Sequence, residues 1–259
     1  MSVLDHDIIS QRYFFPRPTP TPRHPHRVAY RGGELVCSRQ EFDADWPWMV
    51  LFHGNGEVSA DYEGEFSNKI KKLGLNLLVG TYRGYGGSGG TPKLAAMLSD
   101  VAPIVEATGA EPSRVVLFGR SVGSIYAIHA ASERPEIAGL VLESGIASPL
   151  QRVLLRVEPH ELGTTADVIA RHAERHLNHQ HKLAAYTNPL LILHATHDSL
   201  VTVDHAQQNL AWSASPKKQL VSFDRGDHNT IQHANQAAYF DHLRTFTRAL
   251  FPSQPPTQS

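Results

Sequence analysis

Short apolar runs that alternate with longer amphipathic stretches are the feature that most restricts the fold of this 259-residue chain. Six short runs are candidates for strands buried on both faces of a parallel sheet: 48–52, 75–79, 115–118, 140–142, 190–193 and 219–223. Five stretches have helical character: 61–72, 93–108, 122–132, 203–214 and 230–250. Strands that alternate with helices form right-handed βαβ units. The sequence therefore predicts an α/β fold with a mostly parallel central sheet flanked by helices.

One stretch breaks this alternation. Residues from about 145 to 187 carry no strand signal, and a structureless loop of that length is improbable in a compact domain. We therefore expect a small helical lid inserted into a domain that spans 28–250. An extended, proline-rich lead-in over 1–27 precedes this domain, with five prolines in residues 16–25. A polar tail over 251–259 is expected to be disordered.

The sharpest chemical signal is the pentapeptide GRSVG at 119–123, which follows the strand at 115–118 and precedes a helical stretch. A G-x-S-x-G sequence at a strand-to-helix turn is a nucleophile elbow, in which a strained turn projects the serine hydroxyl above the sheet. The following helix directs its N-terminus at the site, where it stabilises negative charge. Ser121 is therefore the candidate nucleophile, and an ordinary glycine turn is the alternative.

Serine needs a base at neutral pH, and His228 is the best placed of the sixteen histidines. It follows the last strand candidate, and the carboxyl ends of strands are where the sites of α/β proteins assemble. His194 ends a strand and is an alternative base, although burial in that strand is the simpler interpretation. Asp198 follows the strand at 190–193 and is the candidate that orients the imidazole. The chain order Ser121, Asp198, His228 is the order of this triad in the expected fold.

Other residues near these motifs are expected to have structural roles. Asp204 should cap the helix at 203–214, and Asp227 should point away from the neighbouring base. His53 should pack beneath the loop that contains it. The glycine-rich run at 82–89 lacks the lysine that ends a P-loop, so it predicts a tight packed loop rather than a nucleotide site.

An oxyanion hole is the remaining requirement of this chemistry. The sequence FHGNG at 52–56 follows the first strong strand, and its glycines allow backbone N–H groups to face a substrate oxygen. We assign the two donors to the backbone amides of Asn55 and of Val122, the residue after the nucleophile. Loss of one such donor typically costs about 3–4 kcal/mol of transition-state stabilisation. No cofactor is expected for this mechanism.

Together these blocks resemble the α/β-hydrolase-fold serine hydrolases over residues 28 to 250. The resemblance rests on five segments in the expected order: FHGNGE at 52–57, TYRGYGGSGG at 81–90, LFGRSVGS at 117–124, LILHATHDSLV at 191–201 and GDHN at 226–229. The pattern is most similar to the short-capped subgroup that includes the BEM46-like and ABHD17-like proteins. It implies a triad of Ser121, His228 and Asp198, and hydrolysis of an ester or thioester through an acyl-enzyme.

The chain departs from that subgroup at two points. Thr81 stands where an aspartate usually begins the second segment, which leaves Arg83 without an obvious local partner. Depalmitoylases of the ABHD17 type carry an N-terminal cysteine cluster for membrane attachment, whereas Cys37 is the single cysteine of this chain. Membrane anchoring is therefore not carried over from the resemblance.

Composition excludes other classes of function. The net charge is −1, so a broad nucleic-acid footprint is not expected. No window of 18 uninterrupted apolar residues predicts a membrane span, and the first ten residues lack the apolar core of a signal peptide. A single cysteine fits a reducing compartment. These features together predict a cytoplasmic location.

The sixteen histidines raise the questions of metal binding and of pH dependence. His172, His176, His179 and His181 lie in the lid, and the first three would share one helical face that could hold zinc or nickel. No cysteine or ordered carboxylate completes a metal signature, so a polar lid face is preferred and no metal is expected. Imidazole titrates near pH 6.5, which predicts weaker lid packing in acid, and lower activity as His228 is protonated.

The sequence thus predicts a serine hydrolase that acts on a small-molecule or acyl substrate. Peptidase or amidase action through the same triad is one alternative, and a non-catalytic binding protein on the same fold is another. In the lid, Leu154, Leu155 and Val157 either line the acyl pocket or pack the lid onto the core.

Overall fold

The computed structural model of the protein describes residues 2–252 and contains an eight-stranded sheet. The strands are β1 (Pro25–Tyr30), β2 (Gly33–Gln40), β3 (Trp48–Phe52), β4 (Asn76–Gly80), β5 (Val115–Arg120), β6 (Gly139–Glu143), β7 (Leu190–Ala195) and β8 (Lys218–Phe223). Their order is β1-β2-β4-β3-β5-β6-β7-β8. Strands β3 to β8 are parallel, whereas β1 and β2 extend one edge in antiparallel fashion. The predicted mostly parallel sheet is confirmed.

Helices cover both faces of this sheet. Residues 2–252 contain ten α-helices: α1 (Asp7–Tyr13), α2 (Glu65–Lys72), α3 (Val101–Glu106), α4 (Gly123–Glu133), α5 (Pro149–Leu154), α6 (Ala166–Leu177), α7 (His179–Ala185), α8 (Val203–Trp212), α9 (Ile231–Ala234) and α10 (Gln236–Leu250). In β3, Met49 and Leu51 face the core under α2 and α10, while Val50 and Phe52 face the core under α3 and α4. Burial on both faces explains the unbroken apolar run of β3. None of these ten helices is both long and apolar enough to cross a membrane.

The insertion between β6 and β7 is helical, as predicted, and consists of α5, α6 and α7. Val153 and Ile169 are fully buried in the same apolar core as the strands, so the lid packs firmly on the domain. Val157 is also buried, whereas Leu154 is 37% exposed and Leu155 is 67% exposed. Of the three lid residues considered above, only Val157 packs the lid onto the core.

The N-terminal segment differs from the extended lead-in expected over 1–27. A short 3-10 helix (Val3–Asp5) and α1 precede the prolines, and Leu4 and Ile9 are fully buried. The prolines begin only at residue 16, so the apolar side chains before them are able to form a helix that packs on the core. The first strand begins at Pro25, before the expected domain start at residue 28. Of the expected disordered tail, residues 253–259 lie outside the described residues.

Two of the expected helices are shortened or broken by features of their own sequence. The α-helical part of 93–108 begins only at Val101, since Pro103 lacks an N–H and is tolerated only in the first turn of a helix. The helix expected over 230–250 breaks at Asn235, whose side chain donates hydrogen bonds to the carbonyls of Arg225 and Ile231, each at 2.8 Å. The second of these bonds competes with the helical backbone at the break.

The lid histidines lie on two helices and not on one shared face. His172 and His176 stack on α6, with ring centroids 6.4 Å apart, whereas His179 begins α7. The change of helix occurs at Asn178, whose side chain caps α7 by accepting the backbone N–H of His181 at 2.8 Å. The expectation of a shared face is therefore wrong. Within residues 2–252, no group of three or more His, Cys, Asp or Glu side chains could hold a metal ion.

Acid is expected to destabilise the protein through His179. Burial and, to a lesser degree, the charge of Lys182 lower the pKa of this side chain to about 3, whereas an unperturbed imidazole titrates near pH 6.5. The unfolded state therefore binds more protons than the folded state as the pH falls below about 6.5. His179 alone should lower the free energy of unfolding by roughly 1.4 kcal/mol for each pH unit until about pH 3. Urea unfolding at about pH 7.5 and at about pH 5 measures this slope.

His179→Gln is the variant that isolates this contribution. The histidine donates from Nδ1 to the carbonyl oxygen of Ile146 at 2.8 Å, and glutamine supplies an N–H donor that does not titrate. The stability of the variant should therefore depend less on pH than that of the wild type. His181→Gln changes an exposed histidine of the same helix and should leave the slope unchanged. Equal slopes in all three proteins would show that His179 makes no contribution.

Candidate active site

Ser121 lies in the tight turn between β5 and α4. Its φ is +51°, in the left-handed region that costs a non-glycine residue roughly 1–2 kcal/mol. The turn is held by neighbouring backbone, because the Ser121 N–H donates to the carbonyl oxygen of Glu143 at 2.9 Å. Ser124 adds a second tie, donating its hydroxyl to the Ser121 carbonyl at 2.6 Å. The strained backbone is thus fixed from both sides, as a nucleophile elbow requires.

Two glycines allow this turn to pack. A Cβ atom at Gly123 would lie 2.0 Å from the carbonyl oxygen of Phe52, and one at Gly119 would lie 2.6 Å from the Cα of Ser124. No side chain fits at either distance, so the backbones of β5, α4 and β3 are in direct contact. The glycine spacing of the motif therefore brings the N-terminus of α4 against the loop that follows β3.

The structure brings Ser121, His228 and Asp198 together, although each comes from a different loop. The imidazole Nε2 lies 3.0 Å from the serine Oγ, and Nδ1 lies 2.7 Å from the Asp198 Oδ2. Because the carboxylate is an acceptor, it places the imidazole proton on Nδ1 and leaves Nε2 free to accept the serine proton. His228 is 6% exposed and Asp198 is 4% exposed, so this chain of hydrogen bonds is shielded from water.

Asp198 is held in an ionised, oriented state. Its Oδ1 accepts the backbone N–H groups of Leu200 and Val201 at 2.9 Å and 2.8 Å. Burial opposes ionisation, but the hydrogen bonds from His228 and from Val201 outweigh it and lower the pKa of the carboxyl below its ordinary value. The side chain is therefore a carboxylate at neutral pH, with its second oxygen directed at the imidazole.

The other residues considered for the base and for the orienting carboxylate have structural contacts. His194 is fully buried and donates from Nε2 to the carbonyl oxygen of Val201 at 2.7 Å, so it supports the loop that carries Asp198. Burial lowers the pKa of this histidine, which favours its neutral form. Asp227 accepts the backbone N–H groups of the two residues that follow the triad histidine, at 2.9 Å and 3.0 Å, and thus points away from the site. Asp204 lies in the first turn of α8, whose N-cap is Thr202, so the expectation that Asp204 caps this helix is wrong.

Asn55 is fixed by the N-terminal segment, a contact that the sequence did not suggest. Its side-chain amide donates to the carbonyl oxygen of Tyr13 and accepts the backbone N–H of Phe15 at 2.9 Å. The hydroxyl of Tyr85 donates to the same amide oxygen at 2.8 Å. With its side chain held in this way, Asn55 borders the cavity above Ser121, and so does Val122. The assignment of their backbone amides as oxyanion donors stays a proposal.

Arg120, the second residue of the elbow motif, connects three loops around the site. Its guanidinium forms ion pairs with Glu57 and Glu143, the latter at 2.9 Å, and donates to the carbonyl oxygen of His228 at 3.0 Å. Glu57 in turn accepts the N–H of Gly54 at 2.7 Å. One buried cation therefore ties together the loop after β3, the end of β6 and the loop that carries His228. Sequence reasoning missed this role.

The loop that begins at Thr81 is packed beside the loop that follows β3. Arg83 does have a partner, although not a local one: its guanidinium donates to both carboxylate oxygens of Asp100, at 2.8 Å and 2.7 Å. His53 is fully buried, as expected, and donates from Nδ1 to the carbonyl oxygen of Gly54 at 2.8 Å. The hydroxyl of Thr81 lies 3.3 Å from the other ring nitrogen of that histidine. Both loops are thus fixed by polar contacts of their own side chains.

A cavity of about 230 Å³ lies over the triad. It is lined by Tyr13, Phe15, Asn55, Arg120, Ser121, Val122, Ile146, Arg152, Arg156, Leu200, Val201, His228 and Asn229. The lid thus contributes two arginines and not the leucines considered above, and the N-terminal segment contributes two aromatic residues. The three aromatic residues at 13–15, just before the prolines, are the sequence signal that could have indicated this side of the cavity. A larger cavity of about 460 Å³ lies within the lid, and no triad residue borders it.

The order of the sheet, the elbow and the Ser–His–Asp geometry define an α/β hydrolase. More particularly, the chain belongs to the family described as serine aminopeptidase, S33 (Hydrolase_4), whose model matches residues 47–176. The resemblance to ABHD-type hydrolases is confirmed by a relative in Xenopus tropicalis, alpha/beta hydrolase domain-containing protein 17B. That protein is 25% identical over 225 residues, which cover 83% of this chain and 72% of the relative.

Two further proteins are similar to this chain, one in sequence and one in structure. An uncharacterised protein of Mycobacterium tuberculosis is 27% identical over 217 residues, which cover 77% of this chain and 69% of that protein. The structure of the Pyrococcus furiosus esterase Pf2001 superposes with a TM-score of 0.66 at 17% identity, over 87% of this chain and 91% of the esterase. The superposition shows that the chain and the esterase share one fold.

Proposed function

We propose that the protein is a serine hydrolase that cleaves a carboxylic ester or thioester through an acyl-enzyme. The hydrogen-bond chain from Ser121 through His228 to Asp198 is the observation that carries the proposal. Ser121 attacks the acyl carbon while His228 accepts the hydroxyl proton and then delivers it to the departing alcohol or thiol. Asp198 stabilises the imidazolium. Water, activated by His228, then hydrolyses the acyl-enzyme, releases the acid and restores the serine.

The negative charge that develops on the acyl oxygen needs donors that are already in place. The backbone N–H groups of Asn55 and Val122 are the proposed donors. Val122 is the residue at the start of α4, where the peptide dipoles favour negative charge. The packing of α4 against β3 through Gly123 brings these two residues to the same cavity.

Peptidase action is the second candidate, because the family is described as serine aminopeptidase. A substrate of an aminopeptidase carries a protonated amino terminus, and a carboxylate is the group that would bind it. The cavity over Ser121 is lined instead by Arg152 and Arg156, which form no ion pair within residues 2–252, and no Asp or Glu of the described residues borders it. Guanidinium groups repel an ammonium group. An ester or thioester without a cationic terminus therefore fits this cavity better.

The size of the cavity favours a short acyl group. Its volume is about 230 Å³. Pockets for drug-sized ligands usually measure about 300–1,000 Å³. We therefore expect esters of short acids to be cleaved faster than those of long fatty acids.

A fluorophosphonate probe tests the proposed nucleophile directly. The probe forms a covalent bond with an activated serine, so the wild type should be labelled and Ser121→Ala should not. The same preparations should be assayed on a series of p-nitrophenyl esters of rising chain length and on L-leucine p-nitroanilide. Cleavage of the short esters without comparable cleavage of the anilide is the expected result.

Other outcomes would contradict the proposal in different ways. A folded wild type that neither reacts with the probe nor cleaves any ester would be a binding protein on this fold. Faster cleavage of the aminoacyl anilide than of every ester would indicate an aminopeptidase. Labelling that survives in Ser121→Ala would place the nucleophile elsewhere.

We also place this chemistry in the cytoplasm. The single cysteine, Cys37, is buried and unpaired, and burial raises the pKa of its thiol to about 12. A chain with no disulfide suits a reducing compartment. Recovery of the native protein mainly in a secreted fraction would contradict this location.

A further inference from the structure

The lid presents two positive charges to the catalytic cavity that no carboxylate of the described residues neutralises. Arg152 lies in α5 and Arg156 lies just beyond its end, four residues later, and both line the cavity over Ser121. The neighbouring arginines differ, because Arg120 pairs with two glutamates and Arg12 pairs with Glu161. Within residues 2–252, neither Arg152 nor Arg156 has an ion-pair partner. The charges on this wall are therefore uncompensated.

This arrangement is unfavourable unless something binds to it. Like charges that line one small cavity repel each other. Arg156 is held in place by uncharged groups, since it donates to the carbonyl oxygen of Arg12 at 3.2 Å and lies 5.2 Å from the centre of the Phe15 ring. Those contacts orient the guanidinium but do not neutralise its positive charge. A cavity walled by such charges attracts anions.

Tyr13 supplies a third, independent feature on the same wall. It is 5% exposed and lines the cavity, yet its hydroxyl has no hydrogen-bond partner in the described structure. Burial raises the pKa of this phenol to about 12, while the charges of Arg152 and Arg156 act in the opposite direction. The hydroxyl is therefore a protonated donor at neutral pH, and it lies close enough to both guanidinium groups to feel their charge. Buried polar groups without a partner are rare, and a ligand acceptor would complete this one.

We propose that Arg152, Arg156 and Tyr13 form a subsite for an anionic group, a carboxylate or a phosphate, carried by the substrate that Ser121 attacks. The inference rests on the proposed ester or thioester hydrolysis and specifies its substrate class. Guanidinium groups bind carboxylates and phosphates through paired charge-assisted hydrogen bonds, and the phenol adds one more donor. The substrate is accordingly a short ester or thioester that carries one anionic group, a carboxylate or a phosphate.

Two pairs of esters test this preference and distinguish the two sources of charge. Mono-p-nitrophenyl adipate carries a carboxylate at the end of its acyl chain, and p-nitrophenyl hexanoate is its neutral counterpart. Acetylglycerol phosphate carries a phosphate on the alcohol side, and monoacetylglycerol is its neutral counterpart. The value of kcat/KM should be at least about 10-fold higher for the charged member of one pair, as expected for a charge-assisted contact. The pair that shows this preference identifies the anion.

Variants then assign the preference to the subsite. Arg152→Gln should reduce the ratio of charged to neutral kcat/KM by about 10-fold, mainly through KM. Arg152→Lys should retain part of the ratio because it keeps the charge but loses the paired geometry. Tyr13→Phe removes only the hydroxyl and should give a smaller decrease. Arg31→Gln is the matched control, because Arg31 is exposed in the turn between β1 and β2, far along the chain from the lid.

The results separate this inference from the proposed function. A wild type that is labelled by the fluorophosphonate and cleaves the neutral esters at least as fast as both charged ones would overturn the anion subsite alone. An equal ratio of charged to neutral kcat/KM in Arg152→Gln and Arg31→Gln would also overturn the anion subsite. A wild type that is unlabelled and cleaves none of the four esters would overturn the subsite and the hydrolase proposal together.

Discussion

Replacement of Ser121 by alanine is expected to lower kcat for a short ester by about 10⁶-fold, and adding His228→Ala should lower it no further. The two side chains act as one unit, because the imidazole Nε2 lies 3.0 Å from the serine Oγ and removes its proton. Once the serine is absent, the base has no nucleophile to activate. Hydrolysis of p-nitrophenyl butyrate by each single variant and by the double variant measures this non-additivity.

The control for this series is Ser99→Ala, which changes an exposed serine and should leave kcat unchanged. Asp198→Asn should be milder than loss of the nucleophile, at about 10⁴-fold, because serine and imidazole are retained while the tautomer is no longer fixed. Losses from Ser121→Ala and His228→Ala that multiply in the double variant would contradict a common mechanism. Such a result would mean that the hydrogen bond between them is not used in catalysis.

The sequence predicts the centre of the fold better than its edges. Each of the strands β3 to β7 contains an unbroken apolar run because it is buried on both faces, and such a run is a clear signal in the sequence. The edge strand β1 has only Val28 buried, so its residues carry little periodic signal. The N-terminal helix was missed for a different reason. The prolines after residue 16 dominate the composition of the segment and hide the buried Leu4 and Ile9.

The site divides in a similar way. Ser121, Asp198 and His228 each follow a strand within a short motif, so local sequence suffices to propose them. The partners of Arg120 are not local, because Glu57 and Glu143 lie 63 and 23 residues away along the chain. The anionic preference inferred for the cavity depends likewise on a lid helix and an N-terminal helix that meet only in the folded chain. Charged residues that meet only in the folded chain have no fixed spacing along it, so a single sequence does not reveal that they are neighbours.

Loss of the Arg120 guanidinium is expected to lower the free energy of unfolding by about 3–5 kcal/mol. Arg120→Met keeps an apolar side chain of similar length but leaves Glu57 and Glu143 without their shared cation. The side chain of Arg120 is 12% exposed and that of Glu143 is 5% exposed, so water cannot replace the cation beside Glu143. Burial opposes the charge of Arg120, yet the two glutamates outweigh it and raise its pKa. Urea unfolding of the wild type and the variant measures the difference.

Arg134→Met provides the matched control, because it breaks an ion pair with Glu106 in which the side chains are 27% and 60% exposed. Such a surface pair contributes about 0–1 kcal/mol. Catalysis gives a second readout, since Arg120 also holds the carbonyl of His228 while Arg134 lies away from the cavity. At a temperature where both variants stay folded, kcat should fall in Arg120→Met alone. Equal stabilities and equal kcat values in the two variants would mean that the buried charges are neither paired nor positioned as the structure shows. The loop of the base would then have to be held by its own backbone contacts.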